Sequence, residues 1–124
     1  MVGHYLFNIS IPGRPIVKKN TMRSFGRRQV YTPLFKAWET QALLLLKSKW
    51  KKKPIECTIF VQYLFFFKNK QAEADVSNLI EGPQDALTKA GVIVDDKLVV
   101  SLSAHKYFYA EPRTEITIYE IEED

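Results

Sequence analysis

One cysteine, Cys57, stands in a chain of 124 residues. A lone thiol excludes an internal disulfide and a cysteine-built zinc cluster, and it fits a reducing cytoplasm. Long apolar runs are missing too. The run from Tyr63 to Phe67 falls far short of the about twenty residues that a helix needs to cross a bilayer, so no membrane segment is expected. The N-terminus shows no positive region followed by an apolar stretch and a small-residue cleavage site, so a secretory signal is not expected either. Internal repeats and low-complexity tracts are absent. A chain of this size buries one serviceable core but not two, which predicts a single domain over residues 1–124.

Charge is plentiful and unevenly placed. Between Glu73 and Asp96 there are six acids (Glu73, Asp75, Glu81, Asp85, Asp95, Asp96) against one lysine, Lys89, a net charge of −5. The whole chain is +4, so everything outside that segment carries +9. From Arg14 to Lys53 there are twelve lysines and arginines and a single acid, Glu39. Hard carboxylate oxygens suit Mg²⁺ or Mn²⁺, while lysines and arginines suit phosphates. An acidic patch inside a basic chain is therefore the pattern expected of metal-dependent work on nucleic acid. The plainer alternative is a basic protein with one acidic helix.

Periodicity supplies the elements. His4 to Ile11 alternates as a half-buried strand, with Tyr5, Phe7, Ile9 and Ile11 on one face. Pro12 to Pro15 breaks it. Lys18 to Arg28 reads as a basic loop with a hairpin turn around Gly26. Its Lys18, Lys19, Asn20, Arg23, Arg27 and Arg28 suit phosphate contacts, and the interleaved Phe25 suits stacking on an unpaired base. Thr32-Pro33 is a helix start. Phe35, Trp38, Ala42, Leu45 and Leu46 form the predicted buried stripe, widened by Leu43 and Leu44. Lysines 47, 49 and 51–53 gather where the helix dipole favours cations, an explanation that needs no DNA. Pro54 stops the helix.

Ile55 to Phe67 then reads as one long strand, with Cys57 in the core phase and a second face that ends apolar in Leu64 and Phe66. That second face needs a cover, either the second helix or another subunit. An acidic helix follows; Asn78 and Glu81 have the spacing of a capping box, and Asp85 reads as a solvated helix residue. Leu98 to Tyr109 is a further strand and Ile116 with Ile118 marks the last. The tail Glu120–Asp124 reads as frayed. Strands from both ends with two helices between them predict an α/β (α+β) domain, a mixed sheet with two main helices packed on it.

Within the acidic segment, Asp75-Val-Ser-Asn-Leu is followed by Asp85-Ala-Leu-Thr-Lys-Ala-Gly and then by Asp95-Asp96 ahead of Leu-Val-Val. These pieces, in this order, resemble the signature of the RusA family of Holliday junction resolvases: D-x-D-N-L, a D-A-L-x-x-A-G helix end, and a D-D pair that opens a strand. The resemblance covers about a quarter of the chain closely. It implies a dimeric nuclease whose three metal-binding catalytic acids correspond to Asp75, Ser77 and Asp96, with Asn78 matching the asparagine. A family lysine one turn further on corresponds to Glu81, and Lys106 matches another lysine of the family. Two positions thus depart from the pattern: Ser77 offers a hydroxyl for a carboxylate, and Glu81 an anion for a cation. Ser77 and Glu81 are four residues apart, so on a helix Glu81 shares a face with Ser77 and can supply the missing oxygen.

The resemblance therefore implies Mg²⁺- or Mn²⁺-assisted phosphodiester hydrolysis of branched DNA, four-way junctions above all, by a homodimer. Asp75, Asp96, Asp95 and Ser77 are the expected metal-site residues, Glu81 a further catalytic candidate, and Glu73 a reserve. At the usual strand rise Lys106 lies roughly 33 Å beyond Asp96, which predicts a distant phosphate contact instead of a place in the metal site. Two other readings stay open: a structure-selective DNA-binding dimer of the same fold without catalysis, and an interaction subunit that docks a partner on its aromatic face.

Overall fold

The computed structural model describes residues 3–18, 22–25, 28–31, 33–70 and 74–122, with the backbone alone for 22–25 and 28–31. In chain order the elements are β1 (Tyr5–Pro12), β2 (Met22–Phe25), β3 (Arg28–Tyr31), α1 (Pro33–Lys49), β4 (Ile59–Phe66), α2 (Val76–Leu79), α3 (Glu81–Lys89), a 3-10 turn (Asp96–Leu98), β5 (Val99–Tyr107) and β6 (Arg113–Glu120). The main sheet runs β1-β6-β4-β5. β6 is antiparallel to both β1 and β4, and β4 is parallel to β5. The sheet is therefore mixed, with helices as the crossover between its two parallel strands. This is the expected α+β class.

β4 is central because alternate side chains can be buried along its whole length. Ile59, Val61, Tyr63 and Phe65 are fully buried and meet Ile116 and Ile118 of β6 and Phe7, Ile9 and Ile11 of β1. From the helices come Phe35, Trp38, Ala42 and Leu46 of α1 and Ala86 and Leu87 of α3. α3 lies close to α1: a Cβ on Gly82 would stand 3.0 Å from Phe35 Cε1. Pro83 falls in the first turn of α3, where its missing N–H has no helical partner to lose. Tyr63, wholly buried, donates its hydroxyl to Gln84 Oε1 at 3.0 Å and ties β4 to α3. Burial pushes this phenol well above its ordinary pKa.

Several expectations need correction. The strand predicted over Ile55–Phe67 is interrupted: Ile55 makes only a parallel bridge to Ile93, and the regular ladder starts at Ile59. Ile55 exchanges backbone bonds with Val92 and Val94 instead, at 2.8 and 3.0 Å, and Glu56 and Cys57 lie outside the ladder. Cys57 is consequently half-buried, with its thiol pushed up by partial burial and by the nearby Glu120. Leu44 is exposed, because its position on α1 faces away from the sheet. The acidic helix is broken at Ile80 into α2 and α3, and the Asn78–Glu81 capping box is not made: the position before Glu81 is helical and no side chain caps it.

β5 stops at Tyr107, since Tyr109 takes φ 61° and leaves the strand. The tail is paired through residue 121, with Glu120 N donating to His4 O and Ile121 N to Thr58 O. Met22 to Tyr31 does form the predicted hairpin, β2 antiparallel to β3 with Phe25 opposite Arg28; Gly26 and the capping Thr32 lie outside the described residues. The second face of β4 is covered by its own cross-strand neighbours. Phe60 stacks on Tyr119 at 5.8 Å, Phe66 on Tyr107 at 5.1 Å, and the Arg113 guanidinium sits 3.7 Å over the Phe66 ring. Among the described residues no helix is long and apolar enough to cross a membrane.

Candidate metal and nucleic-acid site

Asp75 sits in extended conformation at the N-cap of α2, where its carbonyl accepts from the Asn78 and Leu79 amides at 3.0 and 3.2 Å. Its side chain makes no capping bond and is exposed. Ser77 is exposed in the same short helix, and Glu81 is exposed in the first turn of α3, where a carboxylate complements the dipole. Leu79 is the buried anchor between them. This part of the chain therefore turns one apolar residue inward and its polar residues to water, and α2 packs against β5.

Asp95 and Asp96 stand where β5 begins. Asp95 Oδ1 accepts from the Lys97 amide at 2.8 Å and caps the 3-10 turn. That bond, a hydrogen bond shared with the Asp96 carboxyl and the charge of Lys97 hold the Asp95 carboxyl below the usual carboxylate range. Its negative charge is secured by backbone geometry. α3 packs on this turn from its other side.

Lys106 lies beside the approach to Asp75. Its Nζ donates to the Ala74 carbonyl at 2.8 Å, one residue before Asp75, because the chain after β4 folds back along β5. From Asp96 the same lysine is separated by nearly the whole of β5. Its ammonium is also 5.9 Å from the Phe108 ring, and Lys70 stands 5.7 Å from that ring. Lys68 and Lys70 escaped the sequence reading, although a Lys-Asn-Lys run straight after an apolar strand was the available signal.

Lys18 is corrected as well. It is 9% exposed and paired with Asp85 of α3, so it anchors the segment after β1 to the helix instead of facing phosphate. Asp85, expected to be solvated, is the other half of that anchor. Lys19, Asn20, Arg27 and Glu73 lie outside the described residues, and Arg23 and Arg28 are placed by backbone only, in β2 and β3.

Among the described residues no three Asp, Glu, His or Cys side chains converge as a ready-made cation site. The chain joins Asp95 to Asp96 and Lys106 to the approach of Asp75; it does not gather Asp75, Asp95, Asp96 and Glu81 into one cage. Asp75 faces solvent from a helix cap, and the Asp95 carboxylate is held on its own turn. Such exposed hard-oxygen donors fit Mg²⁺, which keeps several waters and is commonly held by one or two carboxylates plus substrate phosphates. Over 93 residues the chain is 28% identical to a protein of Aquifex aeolicus (strain VF5) described as crossover junction endodeoxyribonuclease RusA, an alignment covering 74% of this chain and 73% of that one. The family model for endodeoxyribonuclease RusA matches residues 12–119, and on that match the chain belongs to the RusA family.

Proposed function

We propose that the protein is a metal-dependent endonuclease that cuts branched DNA, four-way (Holliday) junctions above all, by phosphodiester hydrolysis in recombination and repair. The observation that carries this reading is that Asp75 and Asp96, the two acids matching the family signature, are exposed and make no ion pair among the described residues, inside a chain whose family match is nearly end to end. Carboxylates left unneutralised on a basic protein are suited to a cation that arrives with a polyanion.

In this reading Asp75, with Ser77 and Glu81 following it, and Asp96, with Asp95 beside it, would each hold Mg²⁺ or Mn²⁺ together with oxygens of the substrate phosphates. When bound, the ion supplies positive charge at the scissile phosphate, where negative charge develops. The protein's own side chains position the substrate. Lys106 lies beside the Asp75 approach, and the basic residues Lys19, Asn20, Arg23, Arg27 and Arg28 contribute phosphate contacts. A homodimer fits a substrate with two-fold symmetry. Ser77 and Glu81 motivate a second reading, a junction-binding dimer that no longer cuts.

A synthetic four-way junction, incubated with wild type, Asp75→Asn and Asp96→Asn in Mg²⁺ or Mn²⁺, separates the two. Nicking by the wild type alone, with junction affinity kept or improved in both variants, supports the nuclease. Saturated binding without nicks in either metal leaves the binding dimer standing. Equal nicking by all three proteins overturns the assignment of the site.

A further inference from the structure

The turn between β5 and β6 carries a residue that neither folding nor packing explains. Tyr109 has φ 61°, and it is the one non-glycine with positive φ among the described residues. In that region Cβ crowds the backbone, so glycine or asparagine is the usual occupant. The conformation itself has a cause: the chain must cross the end of β4 to pass from β5 to β6. Phe67 N donates to Tyr107 O at 2.8 Å and Ala110 N to Phe67 O at 3.1 Å as it does so. A glycine would serve that turn better. The tyrosine ring is instead 76% exposed, and no ring stack or side-chain hydrogen bond among the described residues engages it, whereas its neighbour Phe108 stacks on Phe67 at 5.9 Å.

Three lysines lie near this turn. Lys68 lines one open hollow with Tyr109, Ala110, Glu111 and Pro112. Lys70 and Lys106 flank Phe108, the residue before Tyr109, at 5.7 and 5.9 Å. Lys106 bonds to Ala74, which brings the turn to the approach of Asp75. Glu111 leaves the Lys68 side of the hollow as the side for phosphate. A projecting aromatic with ammonium groups beside it is the arrangement that receives an unpaired base together with its flanking phosphates.

We infer that Tyr109 stacks on a splayed base at the branch point of the DNA junction, with Lys68 and Lys70 at the adjoining phosphates, an inference that rests on the proposed function. The test measures binding, without added metal so that no strand is cut, to a four-way junction carrying 2-aminopurine at the branch point and to a linear duplex of equal length. Wild type, Tyr109→Gly and Tyr109→Phe are compared. Tyr109→Gly relieves the backbone and removes only the ring. It should bind the junction about tenfold more weakly and lose the change in 2-aminopurine emission. Its duplex affinity and the salt dependence of binding should stay as in the wild type, because no charge is removed. Its thermal midpoint should not fall, and Tyr109→Phe should match the wild type. Wild-type junction affinity and emission in Tyr109→Gly would overturn the inference while leaving the nuclease reading intact. A wild type that does not prefer junction to duplex would bring down both together.

Discussion

The body of α3 and the segments at its two ends both carry acids, and the fold uses them in opposite ways. Within the helix, Asp85 is paired with the buried Lys18, and Lys89 reaches Glu39 of α1 at 2.8 Å. Ahead of it and at its first residue, Asp75, Ser77 and Glu81 face water; after it Asp96 is exposed and Asp95 Oδ1 accepts from the backbone of its own turn. Ionic groups that hold α3 to its neighbours are neutralised. Those at its ends are left without an ion pair among the described residues. Position along one short stretch separates the anchoring acids from the ones proposed to meet a cation.

Exchanging the two kinds of acid tests that division hardest. Asp75→Asn is expected to reduce junction nicking to background with an unchanged thermal midpoint, measured by gel assay and by calorimetry. Asp85→Asn should do the reverse. It leaves Lys18, whose side chain is 11% exposed, without its anionic partner. The expected loss is about 1–3 kcal/mol of stability in denaturant titration, below the full cost of a deeply buried pair because Asp85 is partly open to water. Nicking per folded molecule should persist. If Asp85→Asn abolished nicking in fully folded protein, the division between the body and the ends of the helix would fail.

Smaller effects sharpen the same contrast. Ser77→Asp restores a carboxylate at an exposed position, and nicking at limiting Mg²⁺ is expected to rise severalfold with no change in stability; an activity that stays flat would show that Ser77 is no part of the metal site. Tyr63→Phe removes the hydroxyl bond between β4 and Gln84 and should lower unfolding free energy by about 1 kcal/mol, leaving junction affinity alone. The slightest effect belongs to Asp95. Its folded-state pKa is depressed, so its contribution to stability is present above the ordinary aspartate value of about 3.9 and is lost as pH falls through the lower folded value. Carboxyl NMR should show Asp95 titrating below that ordinary value, and Asp95→Asn should remove this part of the acid-side slope.

Some of this molecule was legible before any coordinates. Alternation in β1 and β4, the Phe35–Trp38–Ala42–Leu46 stripe and the D-A-L-x-x-A-G run each state a local period or motif, and local periods survive into the fold. Errors clustered where a distant partner decided the outcome. Ile55 left its strand because Val92 and Val94 offered better bonds. The capping box failed because Ile80 stayed helical. Lys18 was taken for a phosphate ligand because nothing near it in sequence reveals Asp85, 67 residues away.

By itself, then, the amino-acid sequence determined the class of the fold and the family, since each of these is carried by residue types at short fixed spacings. Only the tertiary structure decided which charges are neutralised, where Lys106 reaches and how the second sheet face is covered. Those outcomes depend on contacts between residues far apart in the chain, and a side chain's charge is available for chemistry only after packing has left it without a partner.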